Sequence, residues 1–173
     1  GTYGNNGFYL PFSDNSTTAG LGKSYSPNTN LITYSEQIDN AVWAKASTTV
    51  TANTTDTTDP NGTNTAEKLT TSATGTAYVN YGTLISFTQG GTYTWSMYAK
   101  AGTASCFGLN IQPAYGDRVS AEYNLSTGTV IGGAVPGGTT TTLVGCGMDA
   151  VGNGWYRCWL TATTAAGSGY TYF

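Results

Sequence analysis

The chain has 173 residues, of which only 9% are charged, and its formal net charge is −3 with six cations and no histidine. So few cations exclude a phosphate-backbone footprint, and the lack of histidine removes the commonest metal ligand and the usual general base near neutral pH. Thr (33) and Gly (24) make a third of the residues, beside 13 Tyr, 5 Phe and 4 Trp, a composition that favours strands and turns over helices or disorder.

Residues 1–29 read as an extended N-terminal arm or linker. Gly4, Asn5, Asn6 and Gly7 form a turn cluster. The run FYLPF at 8–12 is apolar but contains Pro11, which restricts it to an edge strand or an extended docking segment. Phe8, Tyr9, Leu10 and Phe12 together are too apolar to stand free in water, so contact with another subunit is expected. The first residue is Gly rather than Met, which reads as a processed or excised piece.

From residue 30 to 173 the chain reads as one domain of short strands separated by turn signals. Strand-like pieces fall at 31–34, 42–44, 48–52, 66–69, 77–81, 93–101, 106–112, 119–125, 129–131, 139–144 and 155–163. Residues 35–40 are expected to hold one helical turn with Ser35 as its cap. DTTDPNG at 56–62 is a strong turn signal, and 132–138 reads as a flexible loop. After a turn at 165–169, residues 170–173 begin a last strand. A strand stopping there leaves a sheet incomplete, so one or more further strands, or a strand from another chain beside an open edge, are expected. The pattern argues for an antiparallel sandwich or barrel.

Two strands assign faces. In YTWSMYAKA, Tyr93, Trp95, Met97 and Ala99 take the core side; Thr94, Ser96, Tyr98 and Lys100 face out. In WYRCWLTAT, an unpaired buried guanidinium is costly, so Arg157 faces out, with Trp155 and Trp159 beside it, and Tyr156, Cys158 and Leu160 face the core. Two Trp flanking an Arg make a stacking platform for a sugar ring, with Tyr98 and Lys100 nearby. The alternative is a covered surface, with Trp155 under a loop and Trp159 against the arm or a neighbouring subunit.

The carboxylates are scattered and form no acid/base pair in sequence, so no catalytic residue is assigned and no enzyme is expected. Asp56, Asp59 and Asn61 are the candidate Ca²⁺ oxygens, against a plain turn role; no other metal and no cofactor is indicated. Cys106, Cys146 and Cys158 follow no metal spacing. They read as three reduced side chains of a protein assembled in a reducing cytosol, or as one disulfide and one thiol. No apolar run reaches the length of a membrane span, and neither membrane insertion nor nucleic-acid binding is expected.

The ordered motifs NLITYSEQIDNAVWAK (30–45), DPNGTNTAEKL (59–69), YTWSMYAKAGT (93–103), YNLSTGTV (123–130) and GNGWYRCWLTAT (152–163) resemble a β-sandwich domain of bacteriophage tail and fibre proteins. The arm segment at 5–16 is similar to stretches preceding such domains. The resemblance implies an all-β antiparallel jelly roll akin to carbohydrate-binding and galactose-binding modules. It also implies a virion location, with assembly in the host cytoplasm and an extracellular mature state. It further implies a homotrimeric fibre in contact with other virion proteins and often a host-surface glycan as target. Trp159 stands where the resemblance leads one to expect a small polar residue. The other readings are a carbohydrate-binding module of a secreted bacterial enzyme, a capsid decoration or head-fibre protein without a glycan role, and a glycosidase or lyase.

Overall fold

A computed structural model describes residues 29–72, 76–138 and 140–173, and the stretch Ile32–Phe173 forms one compact unit. The expected subunit contacts Phe8, Tyr9, Leu10 and Phe12 lie outside the described residues.

The described residues carry twelve strands and no helix. In chain order these are β1 (Trp43–Ala46), β2 (Thr48–Thr51), β3 (Lys68–Thr71), β4 (Tyr78–Tyr81), β5 (Ile85–Phe87), β6 (Thr92–Lys100), β7 (Cys106–Ala114), β8 (Asp117–Asn124), β9 (Thr129–Gly137), β10 (Thr142–Gly152), β11 (Trp155–Thr163) and β12 (Gly167–Tyr172). A seven-stranded sheet runs β1-β4-β12-β7-β8-β9, with β5 also paired to β12; a three-stranded sheet runs β10-β11-β6; β2 and β3 form a separate ribbon. All pairings are antiparallel. The architecture is all-β and consistent with a β-sandwich.

One core joins the two larger sheets. The three-stranded sheet contributes Trp95, Cys158, Leu160 and Ala162; the seven-stranded sheet contributes Trp43, Val79, Leu109, Ile111, Val119, Ala121 and Tyr123. Period-two alternation places these on the inward faces and leaves Thr, Ser, Asn and Tyr outside. Trp43 packs edge-on against Tyr81 and Phe173, with ring centroids 5.5 and 5.9 Å apart. Burying such rings stabilises by roughly 1.5–3 kcal/mol each.

Four local expectations are corrected. Residues 35–40 form no helical turn. Gln37 N–H donates to Tyr34 O, Asn40 N–H to Gln37 O and Trp43 N–H to Asn40 O, a chain of separate turns in which Asn40 Oδ1 also takes the Val42 N–H. That side-chain bond competes with helix formation. Residues 31–34 are not a strand; Tyr34 has φ +54° and its carbonyl accepts the Trp43 indole N–H. Residues 132–137 continue β9 rather than forming a loop, because β8 supplies a backbone ladder that needs no particular side chains. The last strand begins at Gly167 and lies inside its sheet, with β7 on one side and β5 and β4 on the other. Among the described strands, those paired on one side only are β1, β5 and β9 in the seven-stranded sheet and β6 and β10 in the three-stranded one.

The β10–β11 turn positions the surface described next. Gly152, Asn153 and Gly154 have φ of +97°, +52° and +78°. Three successive left-handed residues suit Gly-Asn-Gly and little else.

Candidate functional site

β11 is the middle strand of the three-stranded sheet. Cys158, Leu160 and Ala162 are fully buried. Alternation therefore carries Trp155, Arg157, Trp159 and Thr161 to the outer face. Across that face the register sets Trp159 between Gly147 and Ser96, and Arg157 between Asp149 and Tyr98.

Trp159 is half-buried and lies over a floor without side chains. A Cβ on Gly147 would sit 2.7 Å from its Cζ2 and 2.9 Å from its Cε2; one on Gly145 would sit 3.5 Å from its Cζ3. Cε2 and Cζ3 are opposite corners of the six-membered ring, so the indole lies along β10 instead of standing on edge. Any residue larger than Gly at 147 would lift it. Beneath, the buried Tyr123 hydroxyl donates to Trp159 O at 2.7 Å, which pins the strand from the core side.

Arg157 Nη1 stands 3.6 Å from Asp149 Oδ2, a solvent-exposed ion pair worth little to stability, on the same face of β11 two positions from Trp159. Tyr98 is 53% exposed opposite Arg157. Toward the strand end the hydroxyls of Thr94 and Thr161 meet at 2.8 Å. A flat apolar ring flanked by a guanidinium, a carboxylate, a phenol and hydroxyls can stack on one face of a ligand ring and hydrogen-bond its edges.

Trp155 and Lys100 do not join this patch. Trp155 is buried, and its indole N–H donates to Thr58 O at 2.9 Å; Lys100 Nζ donates to Thr57 Oγ1 at 2.9 Å. The residues around 57–58 therefore cover that end of β11, and Trp155 as a stacking surface is corrected to a residue closed off by a loop. Asp59 organises the loop. Its carboxylate accepts from the hydroxyls of Thr63 and Thr65 and the N–H groups of Thr63 and Asn61, which together hold it down at about 2. Asp56 is engaged by Lys68 at 2.6 Å, and that bond lowers its carboxyl below the usual range. Asp56, Asp59 and Asn61 thus serve turn chemistry. No group of three or more His, Cys, Asp or Glu among the described residues is placed to hold a metal ion. No helix among them is long and apolar enough to cross a membrane.

One pairing was invisible in sequence. The Asp39 N–H donates to Glu67 Oε2 at 3.0 Å, which brings the two acidic residues together. Burial, then the hydrogen bond and charge of Asp39, push Glu67 up to about 7. The residues lie 28 apart in the chain, on segments that no periodicity links. Neither of two shallow depressions, about 400 Å³ at Ser47–Thr49 and Thr70–Ser72 and about 310 Å³ at Cys106–Gly108 and Glu122, is lined by them. Cys106, Cys146 and Cys158 are all free thiols.

No protein-family model matches the chain, and no curated protein matches it.

Proposed function

We propose that the chain is a receptor-facing structural domain of a bacteriophage fibre or tail appendage, a jelly-roll sandwich of the kind carbohydrate-binding modules share, contributing to host-surface glycan recognition. The observation that carries this reading is the outward indole of Trp159 on its glycine floor beside Arg157. A neutral sugar ring presents C–H groups to such a surface and hydroxyls to the guanidinium and carboxylate at its rim. The reading assigns binding and no bond cleavage, since glycoside hydrolysis needs two carboxyl groups astride the bond and Asp149 is engaged with Arg157. It places the domain in a homotrimer with other virion proteins, on the mature particle outside the cell.

Trp159→Ala in the full chain tests it on an array of host-surface glycans. Binding is expected to fall tenfold or more while the melting temperature holds within a few degrees, and sedimentation equilibrium is expected to give three times the chain mass. An unfolded variant would make Trp159 a core residue. A stable variant with unchanged binding would remove it from the site, and a clean monomer would favour a free carbohydrate-binding module instead.

A further inference from the structure

The opposite outer surface, on the seven-stranded sheet, has its own aromatic row. β12 turns Thr171 and Phe173 inward and Tyr170 and Tyr172 outward; β4 turns Val79 and Tyr81 inward and Tyr78 and Asn80 outward. The Tyr172 ring meets Tyr78 at 5.8 Å and Tyr170 at 6.0 Å, both edge-to-face. Register places Asn80 and Asn110 on either side of Tyr172, and Gln112 beside Tyr170. The row is neutral from Tyr78 across to Ser120 and is made of phenols, amides and a hydroxyl.

Two features point to a ligand here. Asn110 donates its Nδ2 to Ser120 Oγ at 2.9 Å, but its Oδ1 is buried and meets no donor among the described residues. A buried acceptor without a donor is uncommon, and it leaves an unmet polar position directly beneath this face. Along the same face of β7 the next position is Gly108, and the depression of about 310 Å³ opens there, walled by Cys106 and Glu122. Same-face positions on a strand recur about every 7 Å. The surface is therefore a trough with aromatic rings at one end, amides in the middle and open space at the other.

We infer that the Tyr78–Tyr172–Tyr170 row, with Asn80, Asn110 and Gln112, is a second binding site that takes a neutral oligosaccharide. Aromatic rings suit the apolar faces of sugars and amides suit their hydroxyls, and the cation on this face, Arg118, stands two positions from Ser120 on β8. Single-stranded nucleic acid, the other ligand that stacks on aromatic rows, needs a positively charged groove, whereas here the one cation on this face of β8, Arg118, is matched by Glu122. The inference does not depend on Trp159, and it makes the domain bivalent, with one site on each outer face.

The test is a titration of the full ¹⁵N-labelled chain with cellohexaose, maltohexaose and chitohexaose, with octathymidylate as the control. At least one hexasaccharide is expected to shift, saturably, the amides of residues 78–80, 108–112 and 170–172. Trp159→Ala should keep those shifts; Tyr78→Ala and Asn110→Ala should weaken them tenfold or more. Tyr78 is an exposed ring whose removal leaves the core intact, so it decides the matter if the Asn110 variant misfolds. No shift from any of the three sugars at millimolar concentration, shifts unchanged in Tyr78→Ala, or octathymidylate binding as tightly would each overturn the inference. Glycan-array binding unchanged in a stable Trp159→Ala, with these shifts retained, would sink the first reading and leave this one standing.

Discussion

Gly169 in β12 should tolerate no side chain, and Gly169→Ala measures how closely the last strand is packed. A Cβ there would lie 1.9 Å from Gln112 O and 2.7 Å from both the carbon and the oxygen of the Pro113 carbonyl. These are backbone atoms of β7, so no side chain can swing aside. Reaching the 3.4 Å of ordinary contact from 1.9 Å needs the two strands to part by about 1.5 Å. β12 is held on both sides, by β7 and by β5 and β4, so that shift breaks ladder bonds and loosens Phe173 from Trp43 and Trp95. Overpacking a tight site typically costs about 1–3 kcal/mol, and a rigid backbone neighbour places this case at the upper end. About 3 kcal/mol lowers the melting temperature of a domain this size by roughly 10 °C. Thermal unfolding followed by circular dichroism checks it, with Gly102→Ala as the control, since a Cβ there meets nothing within 4 Å. Equal melting temperatures for the two variants would refute the close approach of β12 and β7.

Two further outcomes follow from titratable groups. Burial, then the Asp149 charge, push the Cys158 thiol up to about 12, whereas Cys106 is exposed. A thiol reagent at pH 8 should therefore label Cys106 in the native protein and reach Cys158 only after denaturation; native-state labelling that survives the double replacement Cys106→Ser and Cys146→Ser, or fewer than three thiols in denaturant, would contradict this. Glu67 is raised from 4.5 to about 7, so its contribution to stability is fully present below pH 4.5 and is lost as pH rises through 7. Glu67→Gln mimics the protonated form. It should match the wild type at pH 4 and exceed it at pH 8 by up to about 1 kcal/mol, Glu67 being only half-buried and Asp39 exposed. Parallel stability curves across that range would refute the raised Glu67 carboxyl.

What the sequence made legible was set by side chains, and what it hid was set by backbone. Alternation in YTWSMYAKA and WYRCWLTAT separates inward Trp95 and Leu160 from outward Tyr98 and Arg157, because period two is written directly in the residues. The stretch GCGMDAVG in β10 alternates less clearly, since its outward positions 145 and 147 are glycines. Yet those glycines are what let the Trp159 indole lie flat, and the signal was the pairing of a bulky residue with an empty floor on the neighbouring strand. Residues 132–137 of β9 and 167–169 of β12 carry loop and turn signals for the same reason: Gly-rich segments have turn propensity, and only the tertiary ladder overrides it. The cover over Trp155 required knowing that residues 57–58 return to β11, nearly a hundred positions later. The Tyr78–Tyr172–Tyr170 row leaves no sequence signal because β4 and β12 lie far apart in the chain.

The core joins the two outer faces through a reciprocal pair of hydrogen bonds. Tyr123, buried on the seven-stranded sheet, donates its hydroxyl to the carbonyl of Trp159 on the three-stranded sheet at 2.7 Å. Trp95, buried on the three-stranded sheet, donates its indole N–H to the carbonyl of Tyr172 on the seven-stranded sheet at 3.1 Å. In each case an inward aromatic of one sheet holds the backbone of an outward aromatic of the other. Buried Tyr and Trp need such partners, because an unmet O–H or N–H costs about 1–3 kcal/mol. The acceptors that satisfy them lie at the residues whose side chains form the two outward surfaces. Each bond contributes only about 1 kcal/mol to stability. Its larger consequence is geometric, since it fixes the height of Trp159 over Gly147 and of Tyr172 beside Asn110 from below. A rigid aromatic surface loses less conformational freedom when a ligand stacks on it, which is the physical advantage of building both faces over one shared core.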